Sequence, residues 1–107
     1  MAQQMKSRVA CVQMCSGQTP EANIDEAERL IRRAAVDGAT LVATPEMTNV
    51  IESKRDRLIG KVGQQHDDPS VKRMAGLAGE LLSNEHWLAQ ELLDPTGARY
   101  HQFVLVR

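Results

Sequence analysis

The residue best suited to chemistry is Glu46, which follows an apolar run over residues 41–43 and a proline, Pro45. Such a run after a helical pattern is typical of a strand buried on both faces of a parallel sheet. Because proline has no N–H to donate, Pro45 predicts that the strand ends there and leaves Glu46 at the edge where open α/β sheets bind ligands. A carboxylate partly desolvated between Val42 and Met47 could take a proton near neutral pH. Glu46 is therefore the candidate catalytic residue, the alternative being a solvated loop carboxylate.

The two cysteines, Cys11 and Cys15, are the other reactive side chains. If residues 9–14 form a strand, Cys11 points to one face and Cys15 lies just past the end, so an unstrained disulfide between them is not expected. We expect reduced thiols, with Cys11 packed in the core and more room for reactivity at Cys15. Cys11, in the middle of the predicted strand, has no basic neighbour and no helix N-terminus nearby that would favour the thiolate.

Three adjacent potential metal ligands, His66, Asp67 and Asp68, occur further along the chain. Without a second cluster of ligands, such a group is more simply a polar loop. We therefore expect no metal ion and no cofactor.

The elements that must position Glu46 form a strand-helix-strand pattern. Residues 8–14 are almost continuously apolar, which predicts a central, buried strand. Thr19 and Pro20 then suit the start of a helix whose apolar residues recur every three or four positions up to Gly38. With the strand over residues 41–43, this is a right-handed βαβ unit, and it brings the carboxyl ends of both strands to the same edge.

Composition limits the classes of function. The chain has 107 residues, of which 42% are apolar, enough for the core of one domain. Thirteen basic and fourteen acidic residues give a net charge of −1, so no overall field favours binding to nucleic acid or to an anionic membrane. No apolar run reaches the roughly 20 residues of a membrane span, and the first residues lack a signal-peptide pattern. We expect a cytoplasmic protein that binds neither nucleic acid nor membrane.

The segment from Arg8 to about Gly79 resembles the opening of a nitrilase-superfamily (carbon-nitrogen hydrolase) domain. The resemblance rests on the strand at 8–14, the helix with Asn23, and the run from Asp37 to Met47, in which Gly-Ala-Thr-Leu-Val leads to Pro-Glu. It implies an α/β fold, a partial α-β-β-α sandwich that begins with a βαβ unit. It also implies that Glu46 is the general base of a Glu-Lys-Cys triad, with a small amide or nitrile as substrate.

Residues 80–107 diverge from that family. Asp68 and Pro69 predict the start of another helix. After it, a helical period is predicted within residues 81–93, where the family has an apolar strand, followed by a turn over residues 94–97 and a strand over residues 99–106. In that register Gln102 occupies the place of the family's lysine. No cysteine follows Glu46, and neither Cys11 nor Cys15 matches the family's nucleophile.

Three hypotheses follow. The first, which we favour, is an N-terminal portion of a carbon-nitrogen hydrolase, truncated or frameshifted and inactive alone. The second is a non-catalytic interaction module that keeps half of the sandwich and pairs with a full-length homologue through exposed sheet edges. The third is an unrelated small α/β binding domain in which Glu46 is only structural. Because half of the sandwich leaves one apolar sheet face uncovered, we also expect a homo-oligomer or a poorly folded chain.

Overall fold

A computed structural model of the protein describes residues 7–61, 68–81, 87–93 and 99–106. These residues form, in chain order, β1 (Val9–Cys11), α1 (Pro20–Val36), β2 (Leu41–Ala43), α2 (Arg55–Ile59), α3 (Pro69–Leu81), β3 (Trp87–Leu93) and β4 (Arg99–Val106). The strands make one sheet in the order β1-β2-β4-β3. β1 and β2 are parallel, whereas β4 is antiparallel to both of its neighbours. The predicted mixed α/β fold that begins with a βαβ unit is confirmed.

Helix α1 begins and ends where its sequence predicts. Pro20 takes the first position, where a missing N–H is not needed, and Thr19 is the N-cap residue without a side-chain hydrogen bond. After Val36, Gly38 adopts a φ of 91°, a conformation that other residues rarely accept. This turn brings the chain back into the sheet, where the Thr40 N–H donates to the Arg8 carbonyl at 2.8 Å.

Both long helices pack on one face of the sheet. Because side chains alternate along a strand, Val42 from β2 and Phe103 and Leu105 from β4 point to the same side, and all three are buried. They join the buried residues of α1 and α3 in one core, completed by Ile24, Ala27, Ile31, Ala34, Ala39, Val71, Met74, Leu77 and Ala78. The two helices are also linked across their outer edges, where Arg73 pairs with Asp25 and Glu28, and Arg32 pairs with Glu80.

The other face of the sheet is uncovered within the described part of the chain. Val9 is 57% exposed, Cys11 is exposed, and Leu41, Ala43 and Val104 are only partly buried. Exposed and partly buried residues alternate along residues 9–15, as expected for an edge strand with one solvent-exposed face. The predictions of a central strand at residues 8–14 and of Cys11 in the core are therefore wrong. An apolar run at this edge does not mean burial on both faces.

The predicted helical period within residues 81–93 is also wrong. Residues 87–93 form β3, which pairs along its whole length with β4, from Trp87 opposite Leu105 to Leu93 opposite Arg99. Short apolar runs fit either period, and here the pairing with a distant strand decides. The predicted strand at residues 99–106 is confirmed as β4, whereas the predicted turn at residues 94–97 lies outside the described residues.

Candidate functional site

The candidate site lies at the carboxyl ends of β1 and β2. Their parallel pairing, Val9 with Leu41 and Cys11 with Ala43, brings the loops that follow both strands to one edge of the sheet. We call this edge the rim, and it consists of residues 12–19 and residues 44–54. Glu46 lies on the second of these loops, as its position after Pro45 predicts.

The start of the second loop is attached to β4. The Thr44 N–H donates to the Phe103 carbonyl at 2.9 Å, and the Phe103 N–H donates to Thr44 Oγ1, also at 2.9 Å. The Thr48 hydroxyl then lies 2.6 Å from Thr44 Oγ1 and 2.5 Å from the Pro45 carbonyl oxygen. Thr44 and Thr48 are both buried, so this polar cluster folds residues 44–48 into a tight turn with Glu46 at its outer side.

The end of the second loop is attached to the first loop. The Asn23 carboxamide, on the first turn of α1, accepts from the Gly17 N–H at 2.8 Å and donates to the carbonyls of Gly17 at 2.8 Å and Asn49 at 3.0 Å. The Ile51 N–H donates to the Gly17 carbonyl at 2.9 Å, and the Ser16 hydroxyl donates to the Thr48 carbonyl at 3.3 Å. The two rim loops are therefore joined directly by two hydrogen bonds, Ile51 to Gly17 and Ser16 to Thr48, and indirectly by the three bonds of the Asn23 carboxamide.

Glu46 lies between these two attachments and is exposed. Its neighbour Met47 is 39% exposed, so neither side chain is enclosed. The predicted partial desolvation of Glu46 between Val42 and Met47 is wrong, because Val42 points into the core on the other side of the strand end. The structure therefore presents this carboxylate to solvent, from a turn that is held on both sides.

The backbone of Gln102, which takes the place of the family's lysine in the predicted register, also reaches the rim. β4 runs antiparallel to β2, with Val104 beside Ala43 and Phe103 bonded to Thr44. The next backbone position of β4, Gln102, therefore lies on the side of Thr44 toward which the chain continues to Glu46. Cys15 lies exposed in the first loop, next to Ser16, and both cysteines are free. The fold thus brings the loop with Glu46, the loop with Cys15 and the backbone of Gln102 to one edge.

A groove of about 530 Å³ lies apart from Glu46, between the N-terminal ends of α1 and α3. Its two cationic lining residues already have carboxylate partners, since Lys61 pairs with Glu52 and Arg73 pairs with Asp25 and Glu28. Asp68, another lining residue, accepts a hydrogen bond from the Ser70 N–H at 2.7 Å and so caps α3. These charges are satisfied within the protein, so the groove offers no free cation to an anionic ligand among the described residues.

Metal binding finds no support in the part of the chain that the structure describes, where no three His, Cys, Asp or Glu side chains cluster. Two residues of the sequence cluster, His66 and Asp67, lie outside the described residues. Likewise, no helix among residues 20–36, 55–59 and 69–81 is long and apolar enough to cross a membrane.

Comparison with known families gives a match that includes both loops of the rim. A family model described as carbon-nitrogen hydrolase matches residues 8–83, from the start of the first strand to just beyond α3. The chain belongs to the carbon-nitrogen hydrolase family. The match covers more than two thirds of the 107 residues and includes β1, α1, β2 and the Pro45-Glu46 turn. No match was found among curated proteins or among solved structures.

This carbon-nitrogen hydrolase domain also buries a carboxylate that the sequence pattern did not single out. The Glu52 side chain is 0% exposed and pairs with Lys61 Nζ at 2.9 Å, across the short helix α2. The Lys54 N–H also lies 3.5 Å from the Glu52 carboxylate. The hydrogen bond from Lys61 is the main cause that holds the pKa of Glu52 below its usual range, although burial alone would raise it.

We expect the Glu52–Lys61 pair to contribute stability that is lost in acid. Because the folded pKa of Glu52 is lowered, the contribution is present above the unfolded pKa of about 4.3 and disappears as the pH falls through the lower folded value. Urea titrations between pH 7 and pH 3 should show that Glu52→Gln lowers the free energy of unfolding at neutral pH. On acidification, the free energy of unfolding of the variant should fall less than that of the wild type. Glu26→Gln removes an exposed pair with Arg29 and is the control. Equal acid dependence in the wild type and Glu52→Gln would contradict the prediction.

Sequence reasoning missed the roles of Asn23 and Glu52. Asn23 did carry a signal, because it lies four residues before Ala27 on the buried stripe of α1, where an apolar residue is expected. A polar residue at such a position must find hydrogen-bond partners. Glu52 carried none, since its partner Lys61 lies nine residues away in a segment of mixed charge.

Proposed function

We propose that the chain carries the glutamate part of a carbon-nitrogen hydrolase site, with Glu46 as the group that transfers protons. The observation that supports this most directly is the position of Glu46 within the family match, on a rim turn attached on both sides. An exposed carboxylate at this rim can receive a proton from an attacking nucleophile and return it to the leaving nitrogen. The substrate class would be small amides or nitriles.

We further propose that these 107 residues have no substantial hydrolase activity by themselves. Amide cleavage in this family needs a cysteine whose sulfur bonds to the substrate carbon while the C–N bond breaks, and a lysine that stabilises the charged intermediate. Here no cysteine follows Glu46, and Gln102 occupies the lysine position in the predicted register. A carboxylate alone does not supply the same covalent route.

The experiment that tests the role of Glu46 is a graft. Residues 8–83, the matched segment, replace the equivalent segment of an active carbon-nitrogen hydrolase that supplies the cysteine and the lysine. Ammonia release by the graft is compared with release by its Glu46→Gln variant. The 107-residue chain is assayed beside them on the same amides and nitriles.

A second function, self-association, is favoured by the uncovered sheet face. This face presents Val9, Cys11, Leu41, Ala43 and Val104, none of which is charged, so two copies of it are complementary to each other. The net charge of −1 opposes association only weakly. We therefore propose that a second copy of this chain covers the exposed sheet face, which makes the protein a homo-oligomer.

We expect sedimentation velocity to show an oligomer that Val9→Lys weakens by about tenfold or more in dissociation constant, because a charge is placed on the apolar face. Val9 is already 57% exposed, so the substitution should cost the monomer little. Val36→Lys is the matched control, since Val36 is 86% exposed but lies at the end of α1. A wild-type monomer that melts cooperatively would contradict self-association.

A further inference from the structure

One buried side chain contributes to the attachment of the second rim loop after Glu46, beside the Ile51–Gly17 and Ser16–Thr48 hydrogen bonds. Asn23 is 6% exposed, and its carboxamide bonds to a backbone carbonyl in each rim loop, Gly17 at 2.8 Å and Asn49 at 3.0 Å. It also accepts the Gly17 N–H at 2.8 Å. One planar amide thus makes three hydrogen bonds to the backbone of the two rim loops.

No other side chain of similar size supplies this set of bonds. Aspartate has the same shape but no N–H, so it would present negative charge to the carbonyls of Gly17 and Asn49. Alanine would remove all three of these hydrogen bonds, and the loss of hydrogen bonds in a partly buried site is costly. Asparagine at position 23 is therefore matched to the geometry of the two loops.

The attachments before and after Glu46 use different elements of the fold, although the Thr48 hydroxyl joins the two sides through Thr44 and Pro45. Before Glu46, Thr44 is bonded to β4 through Phe103, and this bond does not involve α1. After Glu46, Asn49 is held by Asn23, and Ile51 by the same Gly17 that Asn23 fixes. Loss of Asn23 would loosen the chain after Glu46, where the Ser16–Thr48 bond remains, and would leave the attachment of Thr44 in place.

We infer that Asn23 is a positioning residue for Glu46, acting through the backbone of Asn49. The inference rests on the proposed role of Glu46 as the proton-transferring group. Asn49 is three residues beyond Glu46, so freedom at Asn49 becomes freedom in where the Glu46 carboxylate points. In proton transfer, a misplacement of the acid or base by about 1 Å is enough to cost most of the rate.

The test measures order at residue 46 in the whole 107-residue chain by amide NMR relaxation, together with hydrogen exchange. In Asn23→Ala, the Ile51 amide should exchange about tenfold faster, and the order parameters of Glu46 and Met47 should fall from about 0.85 to below about 0.6. The amides of Val42 and Leu105 should keep their protection. Asn23→Asp should give the same local release, because it lacks the N–H that Asn49 requires.

The control is Glu26→Ala, which lies on the same helix but is part of an exposed pair with Arg29. It should leave the order parameters at Glu46 and Met47 unchanged. If the Ile51 amide exchanges faster while Glu46 stays ordered, Asn23 is only structural and the inference is overturned. A uniform loss of protection across the chain in both Asn23 variants would overturn it as well. The order parameters are measured without any reaction. A negative result for Asn23 is therefore distinct from a negative result for Glu46 as the base in the graft.

Discussion

In the grafted hydrolase, Glu46→Gln is expected to lower kcat by about 10²- to 10⁴-fold, the usual contribution of a positioned acid or base. Glutamine keeps the size of the side chain but cannot take a proton, so the nucleophile would be left to ionise without help. KM should change much less than kcat, because the missing proton transfer belongs to the transition state. Steady-state ammonia release gives both constants.

The matched control in the graft is Glu26→Gln, an exposed carboxylate of α1 that pairs with Arg29 away from the rim. It should leave kcat unchanged. If Glu46→Gln retains the full kcat, Glu46 is not the base in this segment. The 107-residue chain should release no ammonia; if it does, and Glu46→Gln abolishes that release, the proposed inactivity is wrong while the role of Glu46 stands.

The features of this fold that can be predicted from the sequence are those set by residues close together in the chain. Helix α1 was predictable because its signals, Pro20, the apolar stripe and Gly38, lie within the helix or next to it. The rim position of Glu46 was predictable for the same reason, since Pro45 directly follows the strand pattern. Signals from neighbouring residues were therefore enough to predict the βαβ unit and the sheet edge at which Glu46 lies.

The features that the sequence did not reveal depend on distant contacts. In the described part of the chain β1 is an edge strand because β2 alone pairs with it, and nothing in residues 8–14 indicates how many neighbours the strand has. β3 is a strand because β4 offers it a partner along its full length. The attachment of the rim loops likewise joins Asn23 to Asn49, 26 positions away. Such pairings are set by the whole fold and leave no periodic signal.

The exposure of Glu46 could not be predicted from the sequence for the same reason. Desolvation at a strand end depends on what packs above it, and that is a tertiary property. In the described part of the chain, the helices cover only the sheet face that carries Val42 and Phe103. If a second copy covers the opposite face, as we propose, the surroundings of the rim change on association. Oligomerisation and the environment of the candidate site are then linked.

The core that supports this rim should depend most strongly on Phe103. Its side chain is 0% exposed and is the largest in the core, while its backbone bonds to Thr44 at the start of the Glu46 turn. Phe103→Ala should lower the free energy of unfolding by about 3–5 kcal/mol, the usual cost of a cavity of this size. Because small domains are stable by only about 5–15 kcal/mol, the variant should be close to unfolding.

The matched control is the next residue, Val104, which points to the uncovered face and is only partly buried. At protein concentrations where the chain is monomeric, Val104→Ala should cost about 1 kcal/mol or less, since little apolar surface is lost. Urea denaturation followed by circular dichroism measures both free energies, and Phe103→Leu, which leaves a smaller cavity, provides a measurable value if Phe103→Ala does not fold. Equal costs at positions 103 and 104 would mean that the two faces are buried alike. A large difference would place the core, and with it the support of the rim, on the helix-covered face alone.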